Sequence, residues 1–508
     1  MRLKEKKRMY VKKKIIKGIV AVLLIFSLIG CGQKASKENE PYHISIMTYN
    51  HTGNPMKGEV GDEIISMVEK YTNTTLDIMW VAGTNYPQKL STVLTYTKDM
   101  PKIIVADGKS TSVLYAIQSG EVWDITDLLE EYPNLSQANP DINDNIRVNG
   151  RIYGVYRGRH IGRSGFSYRE DWADNLGLDE PKTLADLENM IRLFTFNDPD
   201  GNGIDDTYGL VLSKNESSLD IVMNWFGVPN GWGEAEDGQL FPAFYFPEYK
   251  EALDWLRMMY EEGCINTDFF IKDTLWMHAE MQNGVAGVLA ENIDEGRRIQ
   301  DYFTFHEMDG RINLVGAIEG KDGVKRALGN SGYSGFFMIT KAAKTEEDVR
   351  ACLDFLDKMN DEEMMMLADF GLEGRHYTWS EDNQLVRSKD SSLNLEFSSL
   401  NQLLSYSAQL GVEVVTVKET PLYDRQVELY KEDLEFRVMN PTLPFMEDTV
   451  VYQDYGEILE QKLRDARIEY IMGTIDEEDL YKRWEDWNNS GGMDLINEIN
   501  DMYRLRQQ

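Results

Sequence analysis

Three segments near the start of the folded chain decide its fold: His43-Ile44-Ser45-Ile46-Met47-Thr48-Tyr49, Leu76-Asp77-Ile78-Met79-Trp80-Val81 and Lys102-Ile103-Ile104-Val105-Ala106-Asp107. Their lengths and apolar residues are typical of β-strands. The stretches between them carry apolar residues at helical spacing, first Val60, Ile64, Met67, Val68 and Tyr71, and then Leu90, Val93 and Leu94. Strands that alternate with helices predict an α/β fold whose sheet is largely parallel and covered by helices on both faces.

The carboxyl ends of these predicted strands are candidate ligand contacts. In open α/β sheets, ligands bind just beyond the carboxyl ends of the strands. The loops that follow Tyr49, Trp80 and Asp107 are therefore the first places where we expect a ligand to contact the chain.

The C-terminal end of the chain is predicted to be helical. Thr474 and Glu477 have the spacing of a capping box, which predicts the start of a helix. Trp484 and Trp487 lie on the apolar stripe of that helix, so we expect them in the core. The pair Gly491-Gly492 predicts a break before one final helix.

Length and charge limit the possible classes of protein. A chain of 508 residues with 42% hydrophobic residues suits two large folded domains better than one core. It has 53 Lys and Arg residues against 86 Asp and Glu residues, which gives a formal net charge of -33. Such an acidic chain repels phosphate backbones and shows no basic face, so we expect no binding to nucleic acids.

The N-terminus has the pattern of a secretory signal. Residues 1–18 are strongly basic, residues 19–29 are apolar, and Gly30 and Cys31 follow at once. The apolar run is too short for a spanning helix of about 20 residues. Residues 1–30 are therefore interpreted as a signal peptide.

The end of this signal resembles the bacterial lipobox. In Leu28-Ile29-Gly30-Cys31, Cys31 stands where the lipidated cysteine becomes the new N-terminus. The polar residues 31–42 read as a flexible tether, so the membrane would be reached through the lipid anchor only. The alternative is an uncleaved N-terminal anchor with an incidental cysteine.

A loop after a predicted helix has the ligand spacing of a calcium site. Asp198, Asp200 and Asn202 occupy positions 1, 3 and 5 of a calcium loop. The carbonyl of Ile204 would serve at position 7, and Asp206 would supply an oxygen at position 9. Alternating short side chains can wrap oxygens around one hard cation, so we predict structural calcium here.

The loop departs from the full calcium pattern at its end. Gly203 falls correctly at position 6, but Gly209 replaces the bidentate Glu at position 12. Another carboxylate would have to complete the shell. The alternative is an ordinary surface turn rich in Gly, Asp and Asn.

Catalytic motifs are absent from the sequence. The six histidines form no HExxH pair, and no GxxxxGK[ST], post-strand GxGxxG or GxSxG motif occurs. A catalytic pair of carboxylates, as in glycosidases, remains an alternative, because its two members need not be close in sequence. Cys264 and Cys352 could form one bridge, but two buried free thiols are favoured in a chain this long.

Several motifs resemble the lipoprotein branch of the extracellular solute-binding proteins, family 1. The matching segments are Tyr86–Leu90, Asp99–Ile103, Gly150–Gly154, Tyr168–Trp172 and Gly371–Tyr377, and the calcium-like loop continuing into Asp206-Thr207-Tyr208-Gly209 belongs with them. That branch serves importers of oligosaccharides or polysaccharide fragments in Gram-positive bacteria. In its calcium-bearing members an acidic residue often stands where this chain has Thr207.

The resemblance implies the architecture and the partners. It implies a two-lobed, type II periplasmic-binding-protein-like fold with a helical C-terminal region and a hinge that the chain crosses about three times. We expect one lobe from residues 43–155 and 312–378, and the other from 156–311 and 379–508. A monomer on the outer face of the cell membrane would close over its ligand and dock on a two-subunit permease driven by a separate ATPase.

Sugar recognition needs flat aromatic faces and planar polar groups. The aromatic candidates for the cleft are Trp80, Tyr86, Trp225, Trp232, Trp276, Tyr333 and Trp379. Of these, Trp80 and Trp379 are preferred, and core packing is the alternative for each. Arg157, Arg159 and Arg163 could bind an acidic sugar through paired hydrogen bonds, or could form hinge salt bridges.

Two functions are therefore compared. The first is a carbohydrate-binding lipoprotein of an ABC importer, which needs no organic cofactor. The second is a surface-anchored polysaccharide-degrading hydrolase or lyase. The sequence leaves the sugar open, and a peptide or other solute is a further alternative.

Overall fold

The computed structural model describes residues 40–50, 56, 58–96, 99–388, 390–405 and 421–507. The predicted signal peptide, Cys31 and nearly all of the predicted tether lie outside these residues. Within them, no helix combines the length and the apolar character needed to cross a bilayer. From Tyr42 onwards the chain forms one unit.

Sixteen strands occur in the described residues. They are β1 Tyr42–Asn50, β2 Thr74–Ala82, β3 Ile103–Ala106, β4 Gly154–Gly158, β5 Ser164–Arg169, β6 Tyr208–Val211, β7 Trp232–Glu234, β8 Leu240–Pro242, β9 Ala286–Asn292, β10 Ile312–Val315, β11 Ile318–Glu319, β12 Lys325–Leu328, β13 Tyr333–Ile339, β14 Tyr377–Trp379, β15 Leu385–Arg387 and β16 Arg437–Val438.

Sixteen α-helices occur in the same residues. They are α1 Glu59–Thr72, α2 Tyr86–Tyr96, α3 Thr111–Gln118, α4 Pro140–Asn145, α5 Glu170–Leu176, α6 Leu184–Phe196, α7 Glu216–Asn224, α8 Pro247–Glu261, α9 Thr274–Gln282, α10 Ile293–Phe305, α11 Glu346–Lys358, α12 Glu362–Phe370, α13 Pro421–Phe436, α14 Val450–Ile471, α15 Glu477–Trp487 and α16 Met493–Arg506.

The first sheet has five strands in the order β2-β1-β3-β13-β4. β1 pairs in parallel with β2 and β3, as the alternation of strands and helices predicted. β13 returns from far along the chain and is antiparallel to both β3 and β4. This order, with a late strand inserted between β3 and β4, is the type II arrangement.

The second sheet has four strands in the order β10-β5-β9-β6. Only β6 and β9 run in parallel, and β5 is antiparallel to both of its neighbours. The prediction of a largely parallel sheet therefore holds for the first three strands and not for the second sheet.

Each sheet has its own hydrophobic core, and we call the two bodies the first lobe and the second lobe. The core of the first lobe includes β1 to β4, β13, α11 and residues up to Leu404. The main core of the second lobe includes β5, α6, α7, α8 and the C-terminal helices. Cys352 and Cys264 are buried free thiols, one in each core, which excludes a bridge between them.

The chain crosses between the lobes side by side. We call residues 159–163 the first crossover and residues 316–332 the second crossover. They are hydrogen-bonded together, because the Arg159 amide donates to the Gly332 carbonyl and the Asn330 amide donates to the Ile161 carbonyl. A third link joins Ser405 to α13, and its residues 406–420 lie outside the described part.

The C-terminal helices follow the sequence prediction, with one correction. The predicted capping box of Thr474 and Glu477 is wrong. Asp476 is the N-cap of α15 and accepts from the amide of Asp479, while the Thr474 hydroxyl donates to the Glu469 carbonyl. Aspartate caps a helix as well as threonine does, so Thr474 and Asp476 were both suitable caps. Asp476 is the cap because it stands directly before the first helical residue, Glu477.

The predicted break at the double glycine is present. Gly491 has a φ of 114°, which only glycine adopts readily, and it separates α15 from α16. Trp487 is buried and Trp484 packs against the same core, as expected.

Candidate functional site

The carboxyl ends of strands from both lobes meet the crossovers. β13 begins directly after the second crossover and pairs with the end of β3, through Phe336 and Ala106. β5 begins directly after the first crossover and pairs with the end of β9, through Ser164 and Asn292. The two edges where an α/β sheet binds ligands therefore lie on either side of the same crossovers.

A tyrosine pair lies at the strand ends of the first lobe. Tyr49 stacks on Tyr86 with ring centroids 3.7 Å apart. Tyr86 is fully buried, and its hydroxyl donates to the carbonyls of Val105 at 2.7 Å and Met47 at 3.2 Å. Tyr86 therefore supports the half-buried Tyr49, which is the ring closer to solvent. Tyr49 was not among the aromatic candidates, although the loop after it was expected to contact a ligand.

Arg157 lies beside this pair at the end of β4. Its side chain is buried and donates to the Ser334 carbonyl at 3.1 Å and to Gln402 Oε1 at 2.5 Å. The guanidinium carbon is 5.7 Å from the centroid of the Tyr49 ring. Burial raises the pKa of nearby Asp107, although backbone amides oppose the shift.

The other two candidate arginines belong to the first crossover and have different contacts. Arg159 donates to the Gly158 carbonyl at 2.8 Å. Arg163 forms an ion pair with Asp294 at 2.9 Å, and Tyr430 of α13 donates to the same carboxylate at 2.8 Å. Burial would raise the pKa of Asp294, but Arg163 and Arg298 hold it below its ordinary value. Arg163 thus forms the hinge salt bridge that was the alternative to uronate binding.

A buried lysine connects the two lobes. Lys109 follows β3 and is 2% exposed. Its Nζ donates to the carbonyls of Pro444 at 3.1 Å and Leu443 at 3.4 Å, and it lies 3.5 Å from Glu447 Oε2. Burial raises the pKa of Glu447, against the effect of Lys109. Lys109 was not a candidate residue, although it lies in the loop after Asp107 that was expected to contact a ligand.

The remaining candidate aromatics fall into two groups. Trp225 and Trp232 are buried in the second lobe at 2% and 6% exposure, so Trp225 is a core residue, and Trp232 borders a cavity. Trp80, Trp276 and Tyr333 are partly buried, and Trp379 is 39% exposed. Trp276 lies on α9, and Lys272 Nζ is 4.5 Å from its ring centroid.

The predicted calcium loop has side chains that converge. The Asn202 amide nitrogen Nδ2 donates to Asp200 Oδ2 at 2.8 Å and to Asp206 Oδ1 at 3.4 Å. Asp198 Oδ2 accepts from the Gly203 amide at 3.0 Å, and Ile204 is exposed in the same loop.

The loop is tied to the second lobe at its end. The Thr207 hydroxyl turns inward and donates to the Phe194 carbonyl at 2.8 Å, so it does not face the loop. Across the described residues, no three His, Cys, Asp or Glu side chains lie close enough together to hold a metal ion. A cation in this loop would therefore need further oxygens, such as the Ile204 carbonyl and Asn202 Oδ1, which here accepts from the Ile204 amide at 2.6 Å.

Comparison with known proteins identifies relatives over most of the chain. It is 35% identical over 449 residues to Lipoprotein LipO of Bacillus subtilis, covering 87% of this chain and 88% of the relative. It is 31% identical over 450 residues to the polygalacturonan/rhamnogalacturonan-binding protein YtcQ of the same organism, with the same coverage of 87% and 88%. No protein-family model matches the chain.

Solved structures have the same fold. An extracellular solute-binding protein from Bifidobacterium longum subsp. infantis has a TM-score of 0.70 at 17% identity, covering 93% of this chain and 99% of that one. An EF-hand mutant of the Streptococcus pneumoniae ABC-transporter substrate-binding protein FusA, in complex with fructo-nystose, has a TM-score of 0.67 at 18% identity, covering 92% and 99%.

Fold and site together define a two-lobed binding protein. The chain belongs to the family of extracellular solute-binding lipoproteins of ABC importers, as its similarity to LipO and YtcQ shows. The relatives are named as lipoproteins and binding proteins rather than as enzymes, which decides against the polysaccharide-degrading enzyme considered from sequence.

Proposed function

We propose that this chain captures an oligosaccharide in the cleft between its two lobes and delivers it to a membrane permease. The observation that carries the proposal is the meeting of the strand ends of both sheets at the crossovers. The relatives support it, since YtcQ is named for binding polygalacturonan and rhamnogalacturonan, and FusA is in complex with fructo-nystose.

The mechanism is closure of two lobes on a shared ligand. A sugar that contacts both lobes favours the closed state through its additional contacts there, so binding and closure are linked. Tyr49 offers a ring face at the strand ends of the first lobe, and Trp80 and Trp379 offer partly exposed rings in the same lobe. On the second lobe, Trp276 is the corresponding aromatic candidate.

The lobe boundaries are proposed at the crossovers. β10 pairs with β5 in the second sheet, and residues 397–404 pack in the core of the first lobe. These memberships favour a first lobe of residues 42–158 and 333–405, and a second lobe of residues 164–315 and 421–507. Residues 156–158, 312–315 and 379–405 then change lobes relative to the sequence-based boundaries.

Calcium is proposed as a structural ion in the loop of Asp198, Asp200, Asn202, Ile204 and Asp206. The convergence of Asp200, Asn202 and Asp206 and the EF-hand of FusA support it. Calcium requires six to eight oxygens, so a further ligand or water molecules would complete the shell. Bound there, the ion would hold together the link between α6 and β6.

Attachment through Cys31 and action as a monomer beside an ABC permease complete the proposal. The LipO name supports the lipid anchor. A tether raises the local concentration of the binding protein near its permease.

Binding assays on the mature protein test the proposed function. We would titrate it with a panel of plant, bacterial and host oligosaccharides and then search the mixtures for cleavage products. The expected result is saturable binding of at least one oligosaccharide without any product. Absence of binding across the panel, or release of shorter sugars, would contradict the proposal.

A further inference from the structure

The second lobe contains a cavity of about 290 Å³ away from the strand-end tyrosines of the first lobe. It lies among α7, the β7–β8 hairpin and α14. Flat aromatic side chains line much of its wall, namely Trp232, Phe244, Tyr249, Tyr452 and Trp487. The volume lies at the lower limit of ligand pockets, about 300 to 1,000 Å³, and therefore suits one sugar ring better than a longer chain.

The polar groups of the cavity favour a neutral ligand. Arg467 forms an ion pair with Asp220 at 2.6 Å, and the Tyr452 hydroxyl donates to Glu460. The lining therefore carries two carboxylates and one guanidinium, a net negative charge. Carboxylates accept hydrogen bonds from sugar hydroxyls, but a uronate carboxylate would be repelled.

The rim of the cavity belongs to the segment that contacts the first lobe. Asn440 and Met446 line the cavity, and the residues between them hold the lysine of the first lobe. Lys109 donates there to the carbonyls of Leu443 and Pro444. An occupant of the cavity would thus contact the segment on which the two lobes meet.

The same rim is also connected to the second crossover. Asn230 Nδ2 donates to the Gly329 carbonyl at 2.8 Å and to the Val438 carbonyl at 3.0 Å. Gly231 has a φ of 69°, and a Cβ there would lie 2.8 Å from Asn440 Nδ2. A larger residue at position 231 would displace the side-chain amide of Asn440. Glycine at this position therefore allows the Asn440 side chain to line the cavity.

We infer that this cavity binds one neutral sugar residue of the captured oligosaccharide and so selects neutral over uronate ligands. The inference rests on the proposed function. Aromatic walls contact the apolar faces of the ring. Asp220 and Glu460 accept hydrogen bonds from its hydroxyls, Arg467 donates to hydroxyl oxygens, and the Asn440 amide can do either. Because this rim contacts Lys109 of the first lobe and Gly329 of the second crossover, occupancy stabilises the segments on which the lobes meet.

Titration calorimetry on three variants of the full mature protein tests this inference. The probe is the tightest oligosaccharide from a panel with neutral members and their uronate-bearing counterparts. Glu460→Gln removes the carboxylate charge, and Leu463→Trp fills the cavity. Glu457→Gln is the control, since Glu457 is exposed one turn away on the same helix and does not line the cavity.

The wild type should bind a neutral oligosaccharide at least tenfold more tightly than its uronate counterpart. Glu460→Gln should weaken binding of the neutral oligosaccharide about tenfold and reduce the ratio of neutral to uronate affinity. Leu463→Trp should abolish binding of the oligosaccharide at an unchanged melting temperature. The inference is overturned if Glu460→Gln binds as tightly as the control, or if the wild type prefers uronates. Either result leaves the proposed function standing. If the wild type binds no oligosaccharide, the proposed function itself fails.

Discussion

At the scale of single residues, the most unusual group is a buried carboxyl at the hinge. Asp433 on α13 is 1% exposed, and its Oδ1 accepts from the Ala317 amide of the second crossover at 2.9 Å. Its Oδ2 has no hydrogen-bond partner among the described residues. Burial raises the pKa of Asp433 to about 6, although the Ala317 amide and Lys325 lower it.

This raised pKa predicts a pH-dependent stability. An acid whose pKa is higher in the folded state stabilises the fold below its unfolded pKa, and this contribution is lost as the pH rises through about 6. Between pH 4.5 and 7, the free energy of unfolding should fall by about 2 kcal/mol more in the wild type than in Asp433→Asn. Denaturant melts at both pH values provide the measurement.

A neighbouring acid serves as the control for that experiment. Glu435→Gln alters an exposed carboxyl two residues away and should keep the wild-type pH dependence. Equal slopes for wild type and Asp433→Asn would contradict the buried-carboxyl explanation.

At the scale of elements, the calcium loop predicts a stability that depends on metal. A metal bound only by the folded state stabilises it by mass action, so a chelator should lower the melting temperature by several degrees. Asp200→Ala should abolish this difference and leave oligosaccharide affinity intact where the protein stays folded. Asp205→Ala is the matched control, because Asp205 lies in the loop at a position without a ligand role. Identical melting curves with and without chelator would favour an ordinary turn.

The first strands and helices of the first lobe could be predicted from sequence, because the residues that form each element lie close together along the chain. β1, β2 and β3 lie where the apolar alternation placed them, with helices between. Strand direction in the second sheet could not be predicted, because the periodicity of β5 is the same whichever way its neighbours run. The capping residue was missed for a similar reason, since Thr474 and Asp476 are both suitable caps.

The candidate site was harder to predict than the fold, because its residues come from distant parts of the chain. Sequence patterns gave Tyr86 and Arg157 as candidates but not Tyr49, which stacks on Tyr86. They also missed Lys109, whose carbonyl partners in the second lobe are more than 300 residues away. Trp225 met the same compositional criteria as Trp379 yet is core, because aromatic character alone does not indicate burial.

At the scale of the whole molecule, two lobes joined by crossovers predict closure on the ligand. Small-angle scattering should show a smaller radius of gyration when the cognate oligosaccharide is added. Substituting Ala for a true stacking ring, with Trp80 and Trp379 as the first tests, should cost roughly tenfold to a hundredfold in affinity. Trp225→Phe should lower stability before it affects binding, because Trp225 is buried. An unchanged radius of gyration with tight binding would refute closure.

The proposed lipid anchor also concerns the whole molecule. Cys31→Ala should prevent lipidation, because in the proposed anchor the thiol of Cys31 carries the diacylglycerol. Cells labelled with a fatty-acid probe should show no incorporation into this variant. Cys264→Ala alters a buried thiol and should label like the wild type. Labelling of Cys31→Ala at the wild-type level would show that the lipobox interpretation is wrong.

The last helix of the chain has a practical consequence for building a reporter. α16 packs in the second lobe, yet its terminal Arg506 pairs with Asp144 on α4, ahead of the first crossover. A fluorescent protein fused directly after residue 508 would therefore be attached beside the junction of the lobes rather than at a remote end. With a second fluorophore on α1, such a fusion would convert sugar capture into an optical signal, provided that the linker leaves the Arg506 contact intact.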